Sequence, residues 1–223
     1  MSVIWTPDRV LTQQPQGDLS VDWPLFGGLI NGVWTASTPG MWYSRDGGTF
    51  PTTVRGTNVP DEAGISQRLS PSQYIELEQP PSSTTFRLFA IIKSNDTNAF
   101  AVSSRTSFNS DGVEFLFGTG GTAGVNNFRI GNTASRTSPS TSGANDGKYH
   151  SYYGHCWGGS EVYLLYDGES LGRTLHIGAT ISHSQSLSIA KRGTTYFSGD
   201  VLLVAWGYSD DALDNDEGKN ALL

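Results

Sequence analysis

The stretch from Asp146 to Trp206 constrains this chain more than any other: DGKYHSYYGHCWGGSEVYLLYDGESLG, a spacer, then GTTYFSGDVLLVAW. From Tyr149 to Trp157, large aromatic or imidazole side chains alternate with smaller residues through much of the run. Gly158-Gly159 turns the chain, and Val162, Leu164 and Tyr166 then alternate against Tyr163 and Leu165. Residues two apart share a face of a strand, so this period of two predicts strands, and no helical period fits it. Asp167-Gly168 falls where a two-residue hairpin turn demands positive φ at both central positions, which Asp and Gly tolerate. Three strands broken by two tight turns, then a further strand after Gly199, form an element of a β-sandwich.

The remaining strand signals lie upstream, at Tyr74–Leu77, Thr85–Lys93, Ala99–Ser103, Gly112–Phe117 and Asn127–Ile130. Phe86–Lys93 is apolar on both faces, as a central strand covered by two layers must be. Gly118–Gly124 is rich in glycine, but strand-like residues follow it. A phosphate-binding loop feeds its N–H groups into a helix, so this segment is expected to be a long hairpin loop instead. The small polar residues between Arg129 and Asp146 cannot pack a core and predict a surface loop. All-β sandwiches reach 223 residues as single units, and a 36% hydrophobic content suits many short strands around one core. Acidic residues at Asp214 and Asp216 with Ala-Leu-Leu at the end give the charge order of a short helix up to Leu223.

Residues 1–45 carry no sustained period and are broken by Pro7, Pro15, Pro24 and Pro39. Proline interrupts helices and central strands, so an extended or irregular arm is expected. The arm holds Trp5, Trp23, Leu25, Phe26, Leu29 and Trp34, too many large apolar groups for a solvated tail. Either the domain's own flank or a neighbouring subunit must cover them.

Asp146-Gly147-Lys148-Tyr149-His150, Leu164-Leu165-Tyr166-Asp167-Gly168 and Phe197-Ser198-Gly199-Asp200-Val201 together resemble the laminin-G-like, concanavalin-A-like jelly-roll family. The resemblance implies an all-β jelly-roll sandwich over about residues 46–210, with the arm at 1–45 and the short helix at 211–223. Members commonly bind sugars through edge loops, which implies Asn95, Asp96, Asn98, Asn126, Asn127, Tyr152, Trp157 and Tyr163 as glycan-binding candidates. Turn chemistry and core filling explain the same residue types without a ligand. Some members hold Ca²⁺, for which Asp111, Asp146 and Asp200 are available, yet no dense acidic loop exists and no metal is expected.

A second resemblance lies upstream, in Thr12-Gln13-Gln14-Pro15-Gln16-Gly17, Val21-Asp22-Trp23 and Gly27-Gly28-Leu29. It is to the N-terminal arm of tailed-phage proteins, where such an arm precedes the same kind of domain. It implies a structural protein on the virion surface, as head decoration or tail component, anchored by its arm to other capsid or tail subunits. A homo-oligomer that meets a host-surface glycan is the expected form. The alternatives are a free carbohydrate-binding lectin and a glycan hydrolase.

For hydrolysis, Glu76 and Glu78 are the closest acid pair in an expected strand. With Ile75 and Leu77 facing the core, both are expected to face water, and the acidic motif of the sandwich glycosidases is absent. No Gly-x-Ser-x-Gly elbow marks a serine nucleophile, and the four histidines form no zinc-type cluster. His150 and His155 are expected on opposite strand faces. The lone Cys156 inside an aromatic strand reads as a buried thiol. A net charge of −7 with singly scattered basic residues carries no nucleic-acid footprint. No apolar run reaches membrane-spanning length, and MSVIWTPDRV lacks the regions of an export signal. The chain is therefore expected to be non-enzymatic, to need no cofactor, and to be assembled in the host bacterial cytoplasm without contact with nucleic acid or membrane.

Overall fold

A computed structural model describes residues 30–44, 47–57, 59–60, 66–95, 99–107, 109–119, 122–131, 140–142, 145–157, 161–175 and 180–208. Among these residues there is no helix. The first seven strands are β1 (Gly32–Thr35), β2 (Met41–Ser44), β3 (Thr49–Pro51), β4 (Thr53–Arg55), β5 (Val59–Pro60), β6 (Gln67–Leu69) and β7 (Tyr74–Glu76). The central ones are β8 (Phe86–Lys93), β9 (Ala99–Ser103), β10 (Val113–Thr119), β11 (Thr122–Ile130) and β12 (Ser140–Ser142). There follow β13 (Tyr149–Trp157), β14 (Glu161–Tyr166), β15 (Glu169–Leu175), β16 (Ser188–Ile189), β17 (Lys191–Arg192), β18 (Thr195–Tyr196) and β19 (Gly199–Gly207).

They form two large antiparallel sheets. One has ten strands, with the order β15-β14-β13-β8-β19-β1-β2-β3 and with β6 joined to β19 and β5. The other has seven, in the order β12-β11-β10-β9-β16-β7-β4. The β17–β18 hairpin stands apart as a two-stranded ribbon. Crossovers between sequence-distant strands give the jelly-roll-like, all-β sandwich that the sequence predicts.

Alternation explains the core. Phe86, Leu88, Ala90 and Ile92 of β8 point inward with Tyr152 and Cys156 of β13 and Val162 and Leu164 of β14. From the seven-stranded sheet they meet Ile75, Val102, Val113, Phe115, Phe128, Ile130 and Ile189. Each such side chain contributes about 1.5–3 kcal/mol by leaving water. Gly154 of β13 is required by this packing, because a Cβ there would overlap the Phe128 ring. In β19 the pairing shifts between Val201 and Leu203, and this bulge keeps both Val201 and Val204 on the inner face. The other face of the ten-stranded sheet carries a second apolar cluster of Ile30, Phe89, Tyr153, Leu165, Leu203 and Ala205.

The expected turn chemistry is present, with φ of 48° at Asp167 and 81° at Gly168. β8 is central, between β13 and β19, and Cys156 is a buried thiol outside any disulfide. His150 and His155 lie on opposite faces of β13, which pairs without a register shift.

Three expectations are corrected. Residues 32–44 are not an irregular arm: β1 and β2 form a hairpin of the ten-stranded sheet, and Trp34 is wholly buried in the main core. Pro39 sits in the connecting turn, not in a strand. There its carbonyl accepts from Trp34 Nε1 at 3.1 Å and Thr52 Oγ1 at 2.6 Å. The long loop expected at 118–124 is mostly strand, with Thr119 paired to Thr122. A further strand, β12, lies within the expected loop before Asp146 and pairs with β11. Trp5, Trp23, Leu25, Phe26, Leu29 and the helix expected at 211–223 lie outside the described residues.

Candidate functional site

The outer face of the seven-stranded sheet carries a polar row, set by register. Arg129 on β11 pairs with Glu114 on β10, Glu114 with Ser103 on β9, Ser103 with Ser188 on β16, and Ser188 with Glu76 on β7. Their sequence neighbours Phe128, Ile130, Val113, Phe115, Val102, Ile189 and Ile75 face the core. The row must therefore point the other way. The β17–β18 ribbon packs over β9 and brings Lys191 and Arg192 onto this face. Gly193 has φ 55° at the ribbon's turn, and a Cβ there would run into the Thr106 carbonyl oxygen. The ribbon is thus held close to the sheet by a residue that only glycine can replace without strain.

Beneath the ribbon three guanidinium groups share one carboxylate. Glu114 Oε1 lies 3.4 Å from Arg105 Nη1 and 3.6 Å from Arg129 Nη1, and Oε2 lies 3.6 Å from Arg192 Nη1. Glu114 and Arg105 are fully buried, whereas 12% of the Arg129 side chain and 15% of the Arg192 side chain are exposed. Arg105 is fixed further by donating through Nε to the Ser110 carbonyl at 3.0 Å. Arg192 lies 3.4 Å from the centroid of the Phe100 ring, and its buried Nη1 has no hydrogen-bond partner. Burial pushes the Arg192 pKa down, and the Glu114 charge only partly restores it. Lys191 stands 3.9 Å from the Tyr74 ring centroid and 3.4 Å from Glu76. Burial works against its charge, but Tyr74 and Glu76 outweigh it and raise the pKa. Tyr196 of the ribbon lies 6.0 Å from Tyr74, and Asn127 occupies the same face of β11 as Arg129.

Just beyond β9, His183 packs on the core ring of Phe86 and is bonded to Ser104, Nδ1 to Oγ, at 2.8 Å. Burial pushes the His183 pKa down to about 4, so the ring is neutral. Ser104 is fully buried and its Oγ accepts from the Val113 N–H at 2.9 Å. A serine nucleophile must be reached by substrate, so this pair reads as a tie between loops.

The residues that carry the family resemblance form a second polar cluster. His150 lies between Asp146 (Nε2–Oδ1, 2.9 Å) and Asp167 (Nδ1–Oδ2, 2.7 Å), and the Tyr166 hydroxyl is 2.6 Å from Nδ1. The Ser151 N–H donates to Asp167 at 2.8 Å. The His150 contact, seconded by the Lys148 N–H, holds Asp146 down at about 2. Burial, with help from Asp167 and Asp146, lifts Tyr166 to about 12. The cluster fastens the Asp167-Gly168 turn to the start of β13, so the motif is legible as turn locking.

Of the expected glycan residues, the four whose side chains are described do not converge. Asn95 is exposed beside the Gly147 turn, and Asn127 is on the outer face of the other sheet. Tyr152 is 1% exposed and Tyr163 is 7% exposed, so core packing takes the first and a hydrogen bond to Glu161 the second. Asp96 and Asn98 lie outside the described residues, as do the side chains of Asn126 and Trp157. Glu76 and Glu78 do not share a partner: Glu76 faces Lys191, while Glu78 accepts from the Trp206 indole N–H. Burial raises the Glu78 pKa despite that bond. Asp200 pairs with Lys93 at 2.7 Å and Arg68 at 3.3 Å. Among the described residues no group of three or more His, Cys, Asp or Glu could hold a metal ion.

Sequence reasoning passes over Arg105, Glu114, Arg129 and Arg192. One signal was available: Val113-Glu114-Phe115 places a carboxylate inside an apolar strand, and such a group needs cationic partners when buried.

This arrangement defines an antiparallel jelly-roll-like sandwich whose seven-stranded sheet has a charged outer face. No family model matches the sequence, and no curated protein matches it. Solved structures match in shape. Domain 4 of AbnA, a GH43 extracellular arabinanase from Geobacillus stearothermophilus, in complex with arabinotriose, is 10% identical with a TM-score of 0.67. The match covers 87% of this chain and 98% of that one. The binding domain of botulinum neurotoxin serotype D/C is 11% identical with a TM-score of 0.61, covering 89% of this chain and 53% of that one. The binding domain of botulinum neurotoxin DC in complex with SialylT is 13% identical with a TM-score of 0.58, covering 82% and 48%. The present chain thus spans about half the length of those neurotoxin domains. At such identities the likeness is one of fold.

Proposed function

We propose that this chain is a non-enzymatic carbohydrate-binding sandwich that serves on the surface of a tailed-phage virion, as a head decoration or a tail adsorption component. The observation that carries the sugar-binding part is the outer face of the seven-stranded sheet. Lys191 and Glu76 stand there beside the Tyr74 ring, with Tyr196 next to it, and Arg192, Arg129 and Asn127 lie farther along the same face. Hydroxyl-rich ligands need donors, acceptors and ring faces in one rigid place. That two proteins of similar shape were solved with arabinotriose and with SialylT supports this reading.

The virion part is supported by the resemblance of Thr12–Leu29 to phage arms. It is also supported by apolar exposure at Met41 (48%), Phe50 (43%) and Val54 (39%). These lie on β2 and on β3 and β4, the terminal strands of the two sheets, where a neighbouring subunit can add contacts. Assembly then takes place in the host cytoplasm, as a homo-oligomer with other capsid or tail subunits.

Two measurements test this. A glycan array probed with the purified chain is expected to show saturable binding that Tyr74→Ala with Tyr196→Ala weakens at least tenfold; uniform background signal overturns the sugar-binding part. Immunogold labelling of phage particles, with antibody against residues 66–208, is expected to decorate capsid or tail. Particles that carry neither label nor the chain by mass spectrometry leave a free lectin instead.

A further inference from the structure

One row of side chains crosses the outer face of the ten-stranded sheet in register. It runs from Val33 on β1 through Ala205 on β19, Phe89 on β8 and Tyr153 on β13 to Leu165 on β14. An antiparallel sheet packed on the core by one face can leave the other to water. This one does not. Ala205 is wholly buried, Phe89 is 8% exposed, and Tyr153 and Leu165 are each 4% exposed. The described hydrophobic residues packed against the cluster, Val33 and Ile91, belong to the same sheet. No described strand lies above it, since each is part of one of the two sheets or of the ribbon over β9. A single chain shows this burial, so the chain itself holds the cover.

The shielding is graded along β8. Arg87 is 1% exposed, Phe89 nearly as buried, Ile91 half-buried, and 33% of the Lys93 side chain is exposed. The cover therefore lies at the Arg87 end. Arg87 pairs with Gly207, and Trp206 with Gly32, so this is the end where β1 begins and β19 stops. The Asn31 N–H donates to the Trp206 carbonyl and the Tyr208 N–H to Asn31 Oδ1, which holds the two chain ends together there. Ile30, 2% exposed, is itself a member of the apolar cluster. The chain before β1 thus arrives from this face.

We propose that residues 20–29 lie across this row as a third layer of the same chain, with Trp23, Leu25, Phe26 and Leu29 shielding it. Four inter-strand gaps of about 4.8 Å put Leu165 roughly 19 Å from β1. Ten extended residues reach about 33 Å, enough to cross the whole row. Ala205, the smallest side chain of the row, stands between Val33 and Phe89 and leaves room for a large ring. Pro24 has no N–H, so one donor fewer has to be satisfied under the layer. The segment after Tyr208 is a poorer cover: Asp210, Asp211, Asp214 and Asp216 accompany Leu213, and carboxylates are costly against an apolar row. Docking residues 20–29 in this way leaves residues 1–19, with Trp5, to reach a neighbouring subunit.

Two experiments on the full chain test the layer. In the first, Trp23 is replaced by photoreactive benzoylphenylalanine and irradiated. Cross-links within the monomer to peptides of residues 86–93, 149–157 or 199–207 are expected. Cross-links to those peptides only in a dimer band overturn the proposal, because a second copy then supplies the cover. Cross-links confined to other parts of the chain overturn it as well. In the second, Trp23→Ala is expected to lower Tm by about 4 °C or more, and by less than half as much when Phe89→Ala is already present. Leu165→Ala, at the far end of the row, takes the place of Phe89→Ala should that variant not fold. Additive losses overturn the proposal. So does non-additivity of Phe89→Ala with Leu213→Ala in place of Trp23→Ala, which assigns the cover to the segment after Tyr208. Neither experiment involves sugar or phage particles, so failure here leaves the function proposed above untouched.

Discussion

The two outer faces of this sandwich are built on the same strand alternation and differ in what fills their centre, although the ten-stranded sheet also carries Arg87 and the Lys93–Asp200 pair on its outer side. On the ten-stranded sheet, Phe89, Tyr153, Leu165, Leu203 and Ala205 make an apolar cluster that is almost wholly shielded. On the seven-stranded sheet, Arg129, Glu114, Glu76, Lys191 and Arg192 make a charged one. An apolar face is held by the loss of water contact, which is non-directional and tolerant of small shifts. A charged face is held by matched partners, and removing one leaves another uncompensated in low dielectric. The first face therefore has a packing role, and the second is the one that can discriminate among ligands.

The largest test of this contrast is Glu114→Gln. Removing the carboxylate that three arginines share is expected to destabilise the fold by about 3–5 kcal/mol, measured by urea unfolding. A loss below about 1 kcal/mol would mean that the cations are balanced elsewhere.

On the other face, Leu203→Ala is expected to cost about 3 kcal/mol, with the slope of unfolding unchanged. A near-neutral result would show that the second cluster is loosely packed.

Acid probes the core between the faces, through a histidine packed on Phe86. The folded His183 pKa of about 4 lies below its unfolded value of about 6.5, so the unfolded state takes up a proton that the fold refuses. Stability from this group is complete above pH 6.5 and is lost as pH falls from 6.5 to 4, by roughly 3 kcal/mol in all. His183→Gln is expected to flatten that part of the stability–pH curve. A slope unchanged in the variant would assign it to other groups.

The smallest effect is expected from Glu76→Gln. Its partner Lys191 keeps the Tyr74 contact, and a partly exposed pair contributes under about 1 kcal/mol. A larger loss would show that the β17–β18 ribbon depends on this pair.

Much of the fold is legible in the sequence. The alternation in Tyr149–Trp157 and Glu161–Tyr166, with Asp167-Gly168 between strands, reads directly as hairpins because side-chain period and turn dihedrals are local properties. The double-sided apolar run of β8 likewise announces a central strand. The first hairpin is not legible. Pro39 signals a break, yet here the break is the turn itself, and the flanking Trp34 and Trp42 are strand residues of the core. Gly118–Gly124 misleads for a related reason: glycine frequency marks a turn, whereas its length is set by pairing with the neighbouring strand.

The candidate site is legible only in its polar residue types. Asn127 falls on the charged face, but Tyr152 is drawn into the core, since an aromatic in a strand carries no mark of which face it will take. Arg105, Glu114, Arg129 and Arg192 belong to four separate places in the chain, and nothing in their spacing links them. Sequence alone determined the strands, the tight turns and the all-β class, because these follow from periods of two and from the dihedrals that Asp and Gly permit. Only the tertiary structure decided which side of each sheet would be charged and which arginines would meet at Glu114. That depends on inter-strand register and on a ribbon folding back over β9, contacts whose energy exists only when distant residues are brought together.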